Sequence, residues 1–325
     1  MDKTGGLLSW MRRLASARLK VRVVSSIEGA ARTWFVRATG AAVRALLVMV
    51  LVVLPSVVLP GIGTDTKQIV ALVALFAGIL VFVEYNAVYP SLVEFRDGAP
   101  FNRIRYLMLL AIVLFLSVIA ADRADSTTVT QLFRALGDAI GAALDFSYSP
   151  VRLATLMVDD TASPDQLADL RAAAGTAYLL SLLSLAVFVI VLKLEGWPST
   201  KTAFNVWVNL PTFEPTAGGD VVDRLERDSR VNLAFGFLLP FLLPALISIL
   251  TVGLPPRALT SSQTLVWAMG AWAFLPASFL MRGVAMARIA DMVRFKRARK
   301  VADEAAEAAE DAADRRAKDA AGGGR

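Results

Sequence analysis

Residues 105–121 read RYLMLLAIVLFLSVIAA, and this stretch decides the fold. After the opening Arg105-Tyr106 it carries almost no polar side chain. A helix of roughly 20 such residues covers the ~30 Å hydrocarbon core of a bilayer. Working outward, five more runs of the same kind lie at 42–62, 68–90, 172–194, 232–254 and 264–284. The sequence therefore predicts an all-α polytopic membrane protein with six transmembrane helices. The chain has 325 residues, 56% of them hydrophobic. Its length suggests two or three soluble domains, but the long apolar runs replace that reading with one membrane domain. Three regions follow: a basic segment 1–41, a transmembrane domain 42–284 and a charged, Ala-rich tail 285–325.

Charge sets the orientation. With both termini on the same side, 28 Lys and Arg fall on that side and 6 on the other. The positive-inside rule then predicts cytoplasmic termini in a plasma (inner) membrane. The first 41 residues lack the apolar stretch of a cleavable signal, so the first span is expected to act as an uncleaved anchor. Within 6–22, Leu7, Trp10, Met11 and Leu14 share a helical face among Arg12, Arg13, Arg18 and Lys20. That pattern predicts an interfacial helix. The net charge of +6 sits beside apolar runs. It reads as contact with anionic inner-leaflet lipids rather than with nucleic acid.

Composition excludes much chemistry. The chain has no Cys and no His. Disulfides, thiolate or imidazole catalysis, and Cys- or His-ligated metals are ruled out. A metal site would need carboxylates and carbonyls alone, and no acidic cluster suggests one. Walker A, Rossmann-type glycine, HExxH and GxSxG patterns are all missing. No cofactor and no enzymatic activity are expected.

The loops carry more pattern than the spans. Loop 122–171, expected outside, holds eight Asp and four Arg but no Glu. Val129, Leu132, Phe133, Leu136, Ile140, Ala143 and Leu144 recur at helical spacing. They predict an amphipathic helix within 126–158, resting on the outer interface or on the bundle; the alternatives are a re-entrant segment and a partner-docking surface. Ser163-Pro164-Asp165-Gln166 reads as a capping box with proline at the first helical position. On the cytoplasmic side, loop 195–230 concentrates Trp197, Phe204, Trp207 and Phe213 among prolines. Aromatics this dense suit either the membrane-interface belt or a docking site for another subunit. Phe204, Val206, Val208 and Leu210 alternate, which predicts a short extended piece. Residues 220–230 read as a solvated helical lead-in to the fifth span. The tail 301–321 is Ala-rich and charged all round, so it predicts a solvated or disordered segment of helical propensity without a core face.

Ionisable groups inside spans mark pathways or packing devices. Glu84, Arg44 and Arg282 lie at similar expected depth near the cytoplasmic side. They are candidates for snorkelling to the interface, for an intramembrane ion pair, or for a transport site. Pro240, Pro244 and Pro276 add possible kinks. The reading that best joins these observations is a non-enzymatic accessory or scaffold subunit, docking other membrane subunits through its aromatic loops. The alternative is a small-solute transporter or channel with Glu84 near its pathway. A lipid-modifying enzyme using the Asp-rich loop is a weaker third, lacking any motif.

Overall fold

The computed structural model describes residues 35–96, 98–157, 162–198, 206–213, 218–250 and 261–322. The expected interfacial helix at 6–22 lies outside them. Every regular element among the described residues is a helix. The order is α1 Phe35–Val58, α2 Thr64–Asn86, α3 Ala99–Ala121, α4 Thr128–Leu144, α5 Pro150–Thr155, α6 Pro164–Glu195, α7 Val206–Asn209, α8 Val221–Leu250 and α9 Ser262–Gly322. Six of them (α1, α2, α3, α6, α8 and α9) are long and apolar enough to cross a membrane. The chain is thus a multi-pass helical protein.

The helices begin earlier than hydropathy alone suggests. α3 starts at Ala99, with Pro100 in its first turn, and α8 starts at Val221. Polar residues are helical here but invisible to an apolar window. α6 starts where the sequence places it. Ser163 accepts the N–H of Gln166, and the Gln166 side chain returns to the Ser163 N–H. It ends at Gly196, whose left-handed φ of 60° suits glycine.

α3 is the centre of the bundle, with Met108, Ile112, Val113 and Leu116 fully buried against α6 and α9. Close packing elsewhere relies on small residues. A Cβ on Gly175 of α6 would lie 2.6 Å from the Gly141 Cα of α4. In α8 and α9, Gly236 meets Leu280 and Gly283 meets Leu233 with equally little room. Small side chains let backbones approach where lipid supplies no hydrophobic drive between helices. Pro244 lacks the N–H that would bond the Pro240 carbonyl four residues back. Trp272 takes that carbonyl instead, its indole Nε1 donating at 3.2 Å. Both prolines therefore sit within an unbroken α8.

α4 is the amphipathic helix that its periodicity predicts. Its glycine face, Gly137 and Gly141, is buried against Ile119 and Ala172. Val129, Leu132 and Leu136 of the apolar stripe point away and are exposed. The helix does rest on the bundle, but by its small residues. At the other end, α8 and α9 pair beyond the predicted spans. Val222 and Leu225 are buried in the same core as Met286, Ile289 and Met292. Glu226 meets Arg294, and Asp220 reaches Arg297 at 2.6 Å. The 220–230 segment is accordingly half of a packed helical stalk, not a solvated lead-in. α9 then continues as helix to Gly322, with residues 301–313 exposed.

α2 is the least buried of the six long helices. Gly78 of α2 abuts Met49 of α1. α2 packs on none of the later described helices. A gap of about 1020 Å³ separates the hairpin from Trp267 and Arg123.

Candidate functional site

The polar residues singled out by sequence gather at the end of the bundle where α2 and α6 finish and α3 and α8 begin. They do not form one cluster. Glu84, buried at 6% exposure, lies in the last turn of α2. Its Oε2 accepts the N–H groups of Ser91, Leu92 and Val93 at 2.9, 2.8 and 3.1 Å. The Ser91 hydroxyl donates to Oε1 at 2.6 Å. A carboxylate satisfied this way fixes a turn. Glu84 meets neither Arg44 nor Arg282.

The turn it builds aims the following residues. Phe95 is fully buried with φ 51° and donates its N–H to the Asn209 carbonyl at 2.7 Å. A non-glycine residue in this region is uncommon and needs surrounding support. Here the Phe95 ring packs on Phe101 and Trp197, and Asn102 donates to the Glu94 and Phe95 carbonyls. Glu94 is thereby turned toward α9.

Arg282 meets it there with two parallel bonds, Nε to Oε2 at 2.6 Å and Nη2 to Oε1 at 2.9 Å. Arg282 Nη1 also donates to Asn232 of α8 at 2.9 Å, and the Thr212 hydroxyl donates to Glu94 Oε1 at 2.7 Å. The side chains are 25% and 13% exposed, so water screens the pair only in part. Glu94 thus clasps the α2–α3 loop, the segment after α7, α8 and α9 at one point. Sequence reasoning missed it because Glu94 falls after the predicted end of the second span. The signal was the exit stretch 92–97, LVEFRD, with its acid one residue before a buried aromatic.

Arg44 stands apart on α1. Its guanidinium lies 4.7 Å over the Tyr85 ring and donates to the Gly40 carbonyl at 2.8 Å. Arg105 is the second group missed. Because α3 starts at Ala99, Arg105 is not the edge of the span but lies inside the helix. It sits between the rings of Phe101 and Phe274 at 5.2 and 5.4 Å, with Nε donating to Ser278 at 3.3 Å.

The four aromatics proposed for docking divide. Phe213 is buried, with Arg224 stacked over it, and Trp197 is half-buried on Phe95. Phe204 and the Trp207 side chain lie outside the described residues. The alternation through Val206–Leu210 forms a helical turn, Val206–Asn209, and not an extended piece. Asn209 and Leu210 are buried by it.

The opposite end is built from Asp and Arg. Arg123 contacts Asp169 at 2.5 Å and Asp165 at 3.3 Å. The Asp169 hydrogen bond holds the Arg123 pKa above its ordinary value. Arg134 pairs with Asp138 at 3.1 Å and with Asp169. Asp145 contacts Arg152 at 3.0 Å and Arg171 at 2.7 Å. The latter are close ion contacts whose N–H directions miss hydrogen-bond alignment. Among the described residues no group of three acidic side chains is placed to hold a metal ion. Comparison with protein-family models, with curated proteins and with solved structures finds no match to this chain.

Proposed function

We propose that the chain is a non-enzymatic accessory or scaffold subunit of a membrane complex, seated in a plasma membrane with both termini cytoplasmic. The charge asymmetry of 28 against 6 supports that orientation. One observation carries the function. Both carboxylates at the candidate site, Glu84 and Glu94, are engaged as acceptors that fasten segments of the chain together. Such a site serves as a clasp. A carrier needs a group that binds and releases a proton or solute, and neither carboxylate is left free for it. The transporter reading draws on the span prolines and on Glu84, and its support weakens at Glu84.

The partner surface shifts as well. Trp197 and Phe213 face the chain's own interior, whereas α9 residues 298–313, beyond the stalk, are exposed. From residue 298 to the helix end at Gly322, 25 residues at ~1.5 Å each give an arm of about 37 Å. This arm is the feature suited to meeting another subunit. Gentle extraction, a native gel and mass spectrometry of what co-migrates test the reading. A stoichiometric partner, lost on truncation after Arg299, is expected. A monomer or a pure homo-oligomer contradicts it.

A further inference from the structure

Beside the clasp lies a cavity of about 580 Å³ bounded by α1, α2 and α3. Its polar lining is lopsided. Arg44, Arg103 and Arg105 face it, and no carboxylate among the described residues pairs with any of them. Glu94 lines the same space and its charge acts on Arg105, but both its oxygens are hydrogen-bonded by Arg282. Arg105 matters most. It lies six residues into α3, about 9 Å along the axis at ~1.5 Å per residue. Among the described residues only its Nε has a hydrogen bond, so its two terminal nitrogens have none. An unpaired guanidinium inside a span is costly, and its planar fork matches phosphate oxygens.

Apart from Tyr85, Asn102 and Tyr106, the rest of the lining is apolar. Leu47, Val48 and Leu51 of α1 face Val81 and Leu109. The Tyr106 hydroxyl donates to the Leu47 carbonyl at 3.0 Å and ties α1 to α3 at the cavity's edge. A small soluble anion would meet the arginines and leave these walls dry and unfilled. A neutral lipid would fill the walls and leave the three arginines without an ion-pair partner. An anionic phospholipid satisfies both, and the volume falls within the few hundred Å³ usual for ligand sites.

We propose that this cavity binds one anionic phospholipid, its phosphate held by Arg44, Arg103 and Arg105 and an acyl chain laid against α1 and α3. The site goes beyond the accessory-subunit reading and stands whether or not a partner is found.

The test uses the full chain in neutral detergent, titrated with phosphatidylglycerol or with phosphatidylcholine of the same acyl chains and followed by native mass spectrometry. Phosphatidylglycerol is expected to bind about tenfold tighter. The double variant Arg44→Gln/Arg105→Gln should abolish that preference, while Arg299→Gln, outside the cavity, should keep it. Val48→Trp fills the space without changing charge, so it keeps the test decisive if the double variant fails to fold. It should weaken phosphatidylglycerol by a similar factor. Equal binding of the two lipids overturns the proposal. So does a preference unchanged in Val48→Trp, or competition by glycerol phosphate at the lipid's own concentration, which would make this a small-anion site.

Discussion

At the Asp-rich end of the bundle, all four arginines from 123 to 171 meet a carboxylate. At the opposite end, Arg282, Arg294 and Arg297 also have such partners, but among the described residues the three arginines around one cavity have no salt-bridge carboxylate. The same residue type thus plays two parts. Paired arginines fasten α4 and α6 to the end of α3, as the Glu94–Arg282 pair fastens the clasp. Unpaired ones line a space that the chain does not fill. The difference separates what holds this protein together from what is left to receive something else.

The comparison can be broken most forcefully at Glu94. Glu94→Ala leaves Arg282 partly buried without its carboxylate. Removing one partner of a buried pair costs about 3–5 kcal/mol, reduced to about 3 for a pair that water still reaches. Thermal unfolding in detergent should show the drop, and adding Arg282→Met should recover much of it. Full stability of the single variant would mean that the clasp is ornamental.

The second break is steric. Gly175→Val drives a side chain into Gly141, where even a Cβ lacks room. Overpacking of this kind costs about 1–3 kcal/mol. Limited proteolysis between α4 and α6 should accelerate while the α8–α9 stalk stays protected. Third, Asp169→Asn removes the carboxylate shared by Arg123 and Arg134. With these groups partly exposed, a loss of about 1 kcal/mol is expected by the same unfolding assay. The variant would turn the paired end partly into a copy of the unpaired one.

The smallest effect concerns the stalk. The Arg297 hydrogen bond, joined by the Val222 N–H, lowers the Asp220 pKa below its ordinary value. A depressed carboxylate stabilises the folded state above its unfolded pKa of about 3.9. That contribution fades as pH falls through the lower folded value. Protection factors at the start of α8, corrected for intrinsic exchange, should therefore fall on acidification below pH ~4, and Asp220→Asn should remove that fall.

Much of this architecture is legible in sequence, for a physical reason. Runs such as 105–121 must be helical in lipid, because every backbone polar group needs an internal partner there. The Ser163 capping box is equally local, and the structure places α6 where it says. What escapes is anything that depends on a helix beginning in polar residues. Arg105 looks like a flank until α3 is seen to start at Ala99. Glu94 looks like loop until Phe95 folds inward beside it. The α4 stripe gives the helix but not its packing face, because without a hydrophobic drive between helices the glycines choose that face. Trp197 and Phe213 read as available anchors, yet local partners hold them.

The most direct measurement is the melting temperature of delipidated protein with and without added phosphatidylglycerol, for the native chain and for Arg105→Gln. Ligand that binds only the folded state raises stability by mass action. The native chain should gain several degrees, on the order of the ~3 kcal/mol expected at 100-fold excess over Kd, and Arg105→Gln should gain little. An equal gain in both, or none in either, would contradict the division between fastening and receiving arginines.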